Sequence, residues 1–190
     1  SNESLIMPVE TKTGIQVMSS NLLLDHPDDP IVWRGAMIST LIEQFYSEVL
    51  WDVDYLIIDM APGTGDIALT IFQKIRLSSA VIVTSPQGLV SQIVEKSAKM
   101  AEMFSVPLLS MVENMSYVKC PDCGKRIDLY GKNDGEIAKR HNIPVFDEIP
   151  FDSNISTFVD RGDIESLHVD YLNQTVDAII KNSTPEDTIG

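Results

Sequence analysis

A chain of 190 residues is long enough for one globular domain that buries roughly 70% of its unfolded surface. Its composition is that of an ordinary globular protein, 44% hydrophobic and 22% charged, and its formal net charge of −14 argues against nucleic acid or an anionic membrane as a partner. No apolar run approaches the roughly 18 residues of a membrane span, and the amino terminus has no basic-then-apolar signal segment, so we expect no membrane association and a cytoplasmic location.

The first quarter of the chain contains one predicted strand and one predicted helix. Alternating residues over 14–19 predict the strand. Asp29 and Pro30 form a helix start signal, an N-cap residue followed by proline at the first helical position. Behind them, apolar residues recur at helical spacing and predict an amphipathic helix of about five turns: Met37, Ile38, Leu41, Ile42, Phe45 and Val49.

The stretch over residues 55–66 is the one around which the chain is organised. Its apolar beginning predicts a strand at 55–60 that is buried on both faces, as in a parallel sheet. Asp59 comes at the carboxyl end of this strand, where open α/β sheets bind ligands, and the Pro-Gly-Thr-Gly turn at 62–65 can direct backbone N–H groups at an anion. The combination indicates a metal–phosphate site. The alternative is that Asp59 merely ends a strand and caps a turn.

Strands and helices alternate through the remainder of the chain. Apolar runs predict strands at 80–84, 108–112 and 145–149, and helices at 67–75, 90–104, 135–141, 153–160 and 169–181. The alternation predicts right-handed β–α–β units and therefore an α/β fold, a mainly parallel sheet with helices on both faces. We expect one domain over residues 1–190, with a Cys-x-x-Cys loop inserted at about 116–131 and a loose tail at 183–190.

Polar residues follow the predicted strands where parallel strands end. The loops at 59–66, 84–87 and 113–114 should converge with the loop Pro150-Phe151-Asp152 on one edge of the sheet. Asn114 can offer a donor and an acceptor to the edge of a purine ring. Asparagine is also a common turn former, and the spacing leaves both readings of Asn114 open.

The two cysteines of the chain, Cys120 and Cys123, form a Cys-Pro-Asp-Cys-Gly motif in a predicted loop. Their spacing lets two thiolates bind one metal centre, whereas a zinc ion or an iron–sulfur cluster takes four ligands. A thioredoxin-like redox pair has less support, because no helical pattern follows Gly124. The stoichiometry favours a symmetric dimer in which each chain supplies two thiolates. Two reduced cysteines in a loop are the plain alternative.

Together these segments resemble the Mrp/ApbC family of MinD-like P-loop ATPases, which is linked to iron–sulfur cluster assembly. The resemblance runs from about residue 30 to 165 and rests on residues 31–35, 54–66, 84–87 and 112–116 and on the Cys-Pro-Asp-Cys motif. It implies a P-loop NTPase fold of the SIMIBI/MinD-like type. It also implies an ATP-dependent carrier or assembly factor that forms a homodimer and delivers clusters to apo iron–sulfur target proteins.

For the phosphate side of the nucleotide, the resemblance implies ATP with Mg²⁺. Asp59 resembles the Walker B carboxylate, which acts on magnesium through water. Gly63 and its neighbours, Pro62 among them, resemble the switch that senses the γ-phosphate. Ala61 departs from the family, which usually has a second proline there, and this departure changes no ligand.

For the base and for the metal centre, the resemblance implies further residues. Asn114 resembles the residue that reads adenine, and Pro150 and Phe151 belong to the loop that lies against the base. Cys120 and Cys123 resemble the thiolates that hold a 4Fe–4S cluster bridging two protomers, with Zn²⁺ as the alternative metal.

The phosphate-binding loop of the family is the missing feature. That loop has the pattern G-x-x-x-x-G-K-[ST], because its backbone cradles the phosphates and its lysine neutralises them. The two Gly-Lys pairs, at 124–125 and 131–132, do not fit this pattern. By resemblance the chain corresponds to the carboxyl-terminal two-thirds of such a protein, lacks the first strands of the sheet and exposes strand edges. Whether the chain is an enzyme stays open, and we expect weak or no ATP binding.

Two other functions fit parts of the pattern. A non-enzymatic metal-binding scaffold would keep the sheet and the Cys-x-x-Cys motif without nucleotide chemistry. A MinD-like positioning ATPase is disfavoured, because no basic amphipathic helix ends the chain.

Overall fold

The structure is a computed structural model that describes residues 6–24, 26, 36–131 and 135–183. The chain groups into two compact units, one that ends at Arg76 and one that begins at Leu77. The predicted helix start at Asp29 and Pro30 lies outside the described residues, as does the tail from residue 184. The expectation of a single domain stays a prediction.

Short pairings hold together the beginning of the first unit. β1 (Val9–Glu10) pairs antiparallel with β2 (Gln16–Val17), which lies inside the stretch predicted as a strand. A short 3-10 helix follows at Ser20–Leu23. Ile6 forms an isolated parallel bridge with Val49, and Val49 is buried there.

Two helices form the rest of the first unit, α1 (Ala36–Ser47) and α2 (Asp66–Lys74). They contact each other, with Ser39 Oγ 3.0 Å from Thr70 Oγ1 and Lys74 Nζ 3.2 Å from a carboxylate oxygen of Glu43. The prediction of α2 is confirmed. The prediction that α1 extends to Val49 is wrong, because α1 ends at Ser47 and Val49 instead pairs with the chain near the amino terminus.

The prediction of a strand at residues 55–60 is also wrong. These residues form neither helix nor strand, and the side chains of Ile57 and Tyr55 are 85% and 48% exposed. A β-strand needs the backbone N–H and C=O groups of a neighbouring strand, and no segment that the structure describes pairs with residues 55–60. The apolar pattern is that of a buried strand, but the partner that would bury it is absent from the described part of the chain.

The second unit is built on a parallel sheet and a hairpin. Its strands are β3 (Ala80–Thr84), β4 (Leu108–Glu113), β5 (Val118–Lys119), β6 (Arg126–Ile127) and β7 (Val145–Glu148). The sheet has the order β3-β4-β7, and both of its pairings are parallel. The three predicted strands of this unit are therefore confirmed.

Helices cover both faces of this sheet, as predicted. They are α3 (Gly88–Met103) and α4 (Glu136–Arg140) on one face and α6 (Asn173–Asn182) on the other, and α5 (Ser153–Asp160) follows β7 in the chain. Met111 of β4 packs in the core cluster with Val94 and Ala98 of α3. The preceding residue, Ser110, points to the opposite face, where its Oγ lies 2.6 Å from Thr175 Oγ1 of α6. The result is an α/β sandwich with β4 as its central strand.

Helix α6 begins later than its apolar pattern predicts, at Asn173 instead of residue 169. The cause is the buried carboxylate of Asp147 on β7, which accepts hydrogen bonds from the Thr175 backbone N–H (2.8 Å) and from Thr175 Oγ1 (2.8 Å). A carboxylate placed at the first turn satisfies N–H groups that a helix cannot satisfy internally. This contact between distant residues therefore positions the start of the helix.

The cysteine segment is more ordered than the predicted loop. β5 and β6 pair antiparallel, with Val118 opposite Ile127 and Lys119 opposite Arg126, so Cys120 and Cys123 lie in the turn of a β-hairpin. Across the described ranges of the chain, no helix is long and apolar enough to cross a membrane.

Candidate functional site

The predicted phosphate turn lies in the first unit. Asp59 and Pro62 are exposed, and Gly63 has a φ of 89°, in the left-handed region that favours glycine. No other group lies within 4 Å of the place that a Cβ of Gly63 would occupy, so the turn is open. An exposed carboxylate beside an open glycine turn fits part of a magnesium–phosphate site. It does not by itself form a phosphate cradle.

The predicted adenine-reading residue lies in the second unit, at the end of the central strand. The Asn114 backbone N–H donates to the Thr84 carbonyl (2.8 Å), so the loops after β3 and β4 are joined there. The Asn114 side chain accepts a hydrogen bond through Oδ1 from the backbone N–H of Met115, whose φ is 56°. Asn114 thus forms the turn that one reading of the sequence expects, and its Nδ2 group remains a donor for a ligand.

The predicted base-side loop continues the pairing between β4 and β7. The Ile149 N–H donates to the Glu113 carbonyl (2.9 Å), and the Ser116 N–H donates to the Ile149 carbonyl (2.9 Å). These bonds place Pro150, which is buried, and Phe151, which is 59% exposed, beside the segment that follows Asn114. The structure therefore brings Asn114 and the Pro150-Phe151 loop together at the carboxyl ends of β4 and β7. Asp59 and Gly63 belong to the other unit.

The cysteine turn is closed by its own backbone. The Cys120 N–H donates to the Lys125 carbonyl (2.9 Å), and the Gly124 N–H donates to the Cys120 carbonyl (2.8 Å), with Gly124 at a φ of 70°. Hydrogen bonds from the backbone N–H groups of Cys123 and then Asp122, together with the Cys123 side chain, hold the pKa of the Cys120 thiol below its usual value. Both cysteines are free thiols, and Cys120 is half-buried whereas Cys123 is exposed.

The cysteine turn offers two thiols, whereas a zinc or iron–sulfur centre takes four ligands. Within the described residues, no group of three or more His, Cys, Asp or Glu side chains is placed to hold a metal ion. Two thiolates with a short bite and open access fit one half of a zinc or iron–sulfur site.

A charged network that no sequence motif indicates joins the cysteine hairpin to β7. The Arg126 guanidinium donates from Nη1 and Nη2 to the two oxygens of Glu148 (2.9 and 2.6 Å) and from Nε to Asp128 (2.6 Å). It also lies over the Tyr117 ring, with its central carbon 4.1 Å from the ring centroid. The hydrogen bonds from Arg126, the largest influence, hold the pKa of the Glu148 carboxyl below its ordinary value.

The network continues from Glu148 to the buried end of the central strand. Ser116 Oγ lies 2.6 Å from a carboxylate oxygen of Glu148 and 2.7 Å from one of Glu113, and its single hydrogen can serve one of them at a time. Glu113 is 1% exposed. The available sequence signal was that β4 and β7 each end in glutamate, at Glu113 and Glu148, which is unusual for apolar strands.

Comparison with known proteins connects this geometry to a family. The family model for ParA-type proteins, described as the NUBPL iron-transfer P-loop NTPase, matches residues 1–183. A protein from Clostridium perfringens named iron-sulfur cluster carrier protein is 39% identical over 161 residues, which are 84% of this chain and 56% of that protein. A protein of the same name from Methanocaldococcus jannaschii is 42% identical over 160 residues, which are 83% of this chain and 55% of that protein.

A solved structure shows the same fold. It is the nucleotide-binding protein from Archaeoglobus fulgidus in complex with ADP, which is 39% identical, has a TM-score of 0.76, and is matched over 90% of this chain and 67% of that one. The chain spans about half the length of the curated relatives it matches. Because the family model matches nearly the whole chain and the relatives are about 40% identical to it, the chain belongs to the Mrp/ApbC family of P-loop NTPases.

Proposed function

We propose that this chain is the cluster-binding part of an iron–sulfur cluster carrier, in which Cys120 and Cys123 supply two thiolates to a 4Fe–4S cluster. The observation that carries the proposal is the organised cysteine turn. Its backbone hydrogen bonds fix the two sulfurs on one exposed turn and lower the pKa of Cys120, and the thiolate is the form that binds metal. The names of the relatives support a carrier over a scaffold without nucleotide chemistry.

The cluster is cargo, and two chains are needed to hold it. Each chain offers two thiolates where the centre takes four, and a two-fold axis through the cluster lets identical turns supply the other pair. An exposed site at a dimer interface also suits release to an apo iron–sulfur protein. Free thiols that bind iron require a reducing compartment, which supports the cytoplasm as the location.

For the nucleotide we propose two sets of residues within the whole protein. Asp59, Pro62 and Gly63 serve the Mg²⁺–phosphate side, and Asn114 with the Pro150-Phe151 loop serves the adenine side. The ADP in the related Archaeoglobus fulgidus structure supports nucleotide binding as a family property. The sequence of this chain contains no G-x-x-x-x-G-K-[ST] cradle, so the fit is partial, and we derive no hydrolytic step from these residues.

Anaerobic reconstitution with iron and sulfide tests the carrier proposal. The wild-type chain should develop visible thiolate-to-iron absorption, bind about two iron and two sulfide ions per chain, and shift to the mass of a dimer on loading. The double variant Cys120→Ala/Cys123→Ala should do none of these. Asp122→Asn is the matched control, because it keeps both thiols and the backbone N–H groups of the turn. A double variant that still loads, or a wild-type chain that binds only zinc, contradicts the proposal.

A calorimetric titration with MgATP tests the nucleotide assignment. Because the phosphate cradle is absent from the sequence, the chain should show no binding tighter than about millimolar, which is equivalent to about −4 kcal/mol. Asp59→Asn should therefore leave the titration unchanged. Tight binding that depends on magnesium and is lost in Asp59→Asn would mean that residues other than a P-loop bind the phosphates.

A further inference from the structure

We propose that Arg126 is a positioning residue that fixes the cysteine hairpin to the carboxyl end of β7 and so sets how firmly the hairpin holds a cluster. The inference rests on the proposed function, because it assumes that Cys120 and Cys123 are the ligands. It adds a residue that lies outside the Cys-Pro-Asp-Cys motif and outside the nucleotide motifs. The same ion-pair network gives a physical reason for the two glutamates that end β4 and β7.

The hairpin is too small to hold its own shape. β5 and β6 have two residues each and pair through two residue pairs, and an isolated two-stranded hairpin is at best marginally stable in water. Its first strand is tied to the sheet by the backbone, since the Phe151 N–H donates to the Tyr117 carbonyl (2.7 Å). In the described part of the chain, every hydrogen bond that ties the returning strand to the sheet comes from the Arg126 guanidinium. Arg126 therefore joins β6 to the sheet, whereas the backbone of β6 pairs only with β5 in the described part of the chain.

The ion pair between Arg126 and Glu148 has a fixed geometry. Two parallel N–H groups of Arg126 meet the two oxygens of Glu148, an arrangement that fixes orientation as well as distance. The Tyr117 ring supports the guanidinium from one side, and the Nε–H bond to Asp128 fixes the plane. Glu148 is itself held by Ser116, which also contacts the buried Glu113. These contacts thus connect the cysteine hairpin to the buried end of β4.

The position of Arg126 relates it directly to the ligands. It pairs with Lys119 in the residue pair nearest the turn, and Cys120 is the next residue after Lys119. Fixing the position of this pair limits the directions that the Cys120 side chain can take. Groups that orient metal ligands without touching the metal typically change affinity 10- to 100-fold when they are removed. We expect an effect at the low end of this range, because the network is partly exposed.

Cluster retention in the full chain tests the inference. Wild-type chain and Arg126→Gln are loaded anaerobically with iron and sulfide, and loss of visible absorption to a ferrous chelator is followed. Arg126→Gln should lose its cluster about tenfold faster. Lys125→Gln, which removes one positive charge from the same turn but no ion pair of the described residues, should differ from wild type by about twofold or less. Arg126→Lys keeps the positive charge but lacks the two parallel N–H donors, so it should not restore wild-type retention of the cluster.

A spectroscopic readout separates positioning from general destabilisation. The visible circular dichroism of the loaded chain reports the arrangement of the thiolates around the cluster, so at equal iron content it should change in Arg126→Gln and stay the same in Lys125→Gln. If Arg126→Gln fails to fold, Glu148→Gln breaks the two-bond pairing from the sheet side, because it removes the charge and one of the two acceptor oxygens, and it should show the same change. The double variant should lose its cluster no faster than the more affected single variant, because both substitutions break one contact.

The possible outcomes distinguish this inference from the function on which it rests. A wild-type chain that does not load a cluster overturns the proposed function and the inference together. A wild-type chain that loads, with Arg126→Gln and Glu148→Gln matching it in retention and in visible circular dichroism, leaves the carrier function standing and overturns the role of Arg126. Equal effects of Arg126→Gln and Lys125→Gln would also overturn it, since they would show that charge alone matters.

Discussion

The two units of the chain make opposite use of equally apolar segments. In the unit that begins at Leu77, β4 lies between two parallel partners, and Met111 is 1% exposed. In the unit that ends at Arg76, residues 55–60 have no partner strand within the described ranges, and Ile57 is 85% exposed. An apolar run therefore records the tendency of a segment to become a buried strand. Its burial is decided by residues far away in the sequence, which supply the neighbouring strands.

The largest expected difference between the units comes from one substitution made in each of them. Ile82→Ala removes a side chain that is 7% exposed in the core beside α3, and should lower the free energy of unfolding by about 2–5 kcal/mol. Ile57→Ala removes the same atoms from an exposed segment and should change the free energy of unfolding by about 0.5 kcal/mol or less. Urea unfolding followed by far-UV circular dichroism measures both, and wild type is the reference.

Amide hydrogen exchange checks the same contrast without a mutation. The amides of β4 should be among the most protected, because they are hydrogen-bonded to two neighbouring strands, whereas amides 55–60 should exchange rapidly. If Ile57→Ala is as costly as Ile82→Ala, or if amides 55–60 are protected, the segment is buried in solution and the contrast between the units is lost.

The contrast also explains how much of the fold could be predicted. Strands β3, β4 and β7 and helices α2 and α3 were predictable because their apolar patterns are complete and their partners lie within the same unit. Residues 55–60 carry a pattern of the same quality without a partner. The start of α6 was missed for a different reason, since it depends on Asp147, 28 residues upstream of Thr175, and no local pattern contains that contact.

Of the candidate site, the sequence predicts the local parts. Cys120 and Cys123 are three residues apart, so their turn and its thiols could be predicted from the motif. The pair formed by Arg126 and Glu148 is separated by 22 residues and forms only because β5 and β6 make a hairpin, and the sequence pattern there indicated a loop. Charge pairs that depend on an unpredicted element cannot be read from spacing.

A second, smaller difference concerns the hydrogen bonds that join elements within each unit. Asp147, 4% exposed, accepts bonds from Gln174 Nε2 (3.0 Å) and from the backbone N–H and Oγ1 of Thr175 (both 2.8 Å). Asp147→Ala leaves buried donors unsatisfied and should lower the free energy of unfolding by about 2–3 kcal/mol. In the other unit Gln16 Oε1 accepts from the Asp52 N–H (3.0 Å) at an exposed position, where water can replace it, so Gln16→Ala should cost about 0.5 kcal/mol or less.

Asp177→Ala is the control for Asp147→Ala, because it removes the same charge from an exposed position on α6 and should change the free energy of unfolding by about 0.5 kcal/mol or less. If Asp147→Ala and Gln16→Ala lowered the free energy of unfolding equally, the buried carboxylate would not position α6. The hydrogen bonds within each unit would then contribute similar stability to that unit.

The smallest expected effect concerns the two turns that carry the candidate chemistry, one in each unit. The 59–66 turn is open around Gly63, whereas the cysteine turn directs backbone N–H groups of Cys123 and Asp122 at Cys120 and lowers the pKa of its thiol. The fraction of Cys120 present as thiolate should therefore be larger in the folded chain than in the unfolded chain at any pH below the ordinary thiol range. The thiolate stabilises the turn above the unfolded pKa, and that stabilisation is lost as the pH falls through the lower, folded pKa.

The rate of alkylation of Cys120 by iodoacetamide, measured against pH by mass spectrometry, reports this shift. The midpoint should lie at lower pH in the folded chain than in urea. Cys123→Ser should keep a lowered midpoint, because the largest cause is the backbone N–H of residue 123 and not its thiol. Asp122→Pro, which removes one of the two N–H groups, should move the midpoint of the folded chain toward that in urea. Identical midpoints in the folded and unfolded wild-type chain would mean that the cysteine turn is no better organised in solution than the open turn beside Asp59.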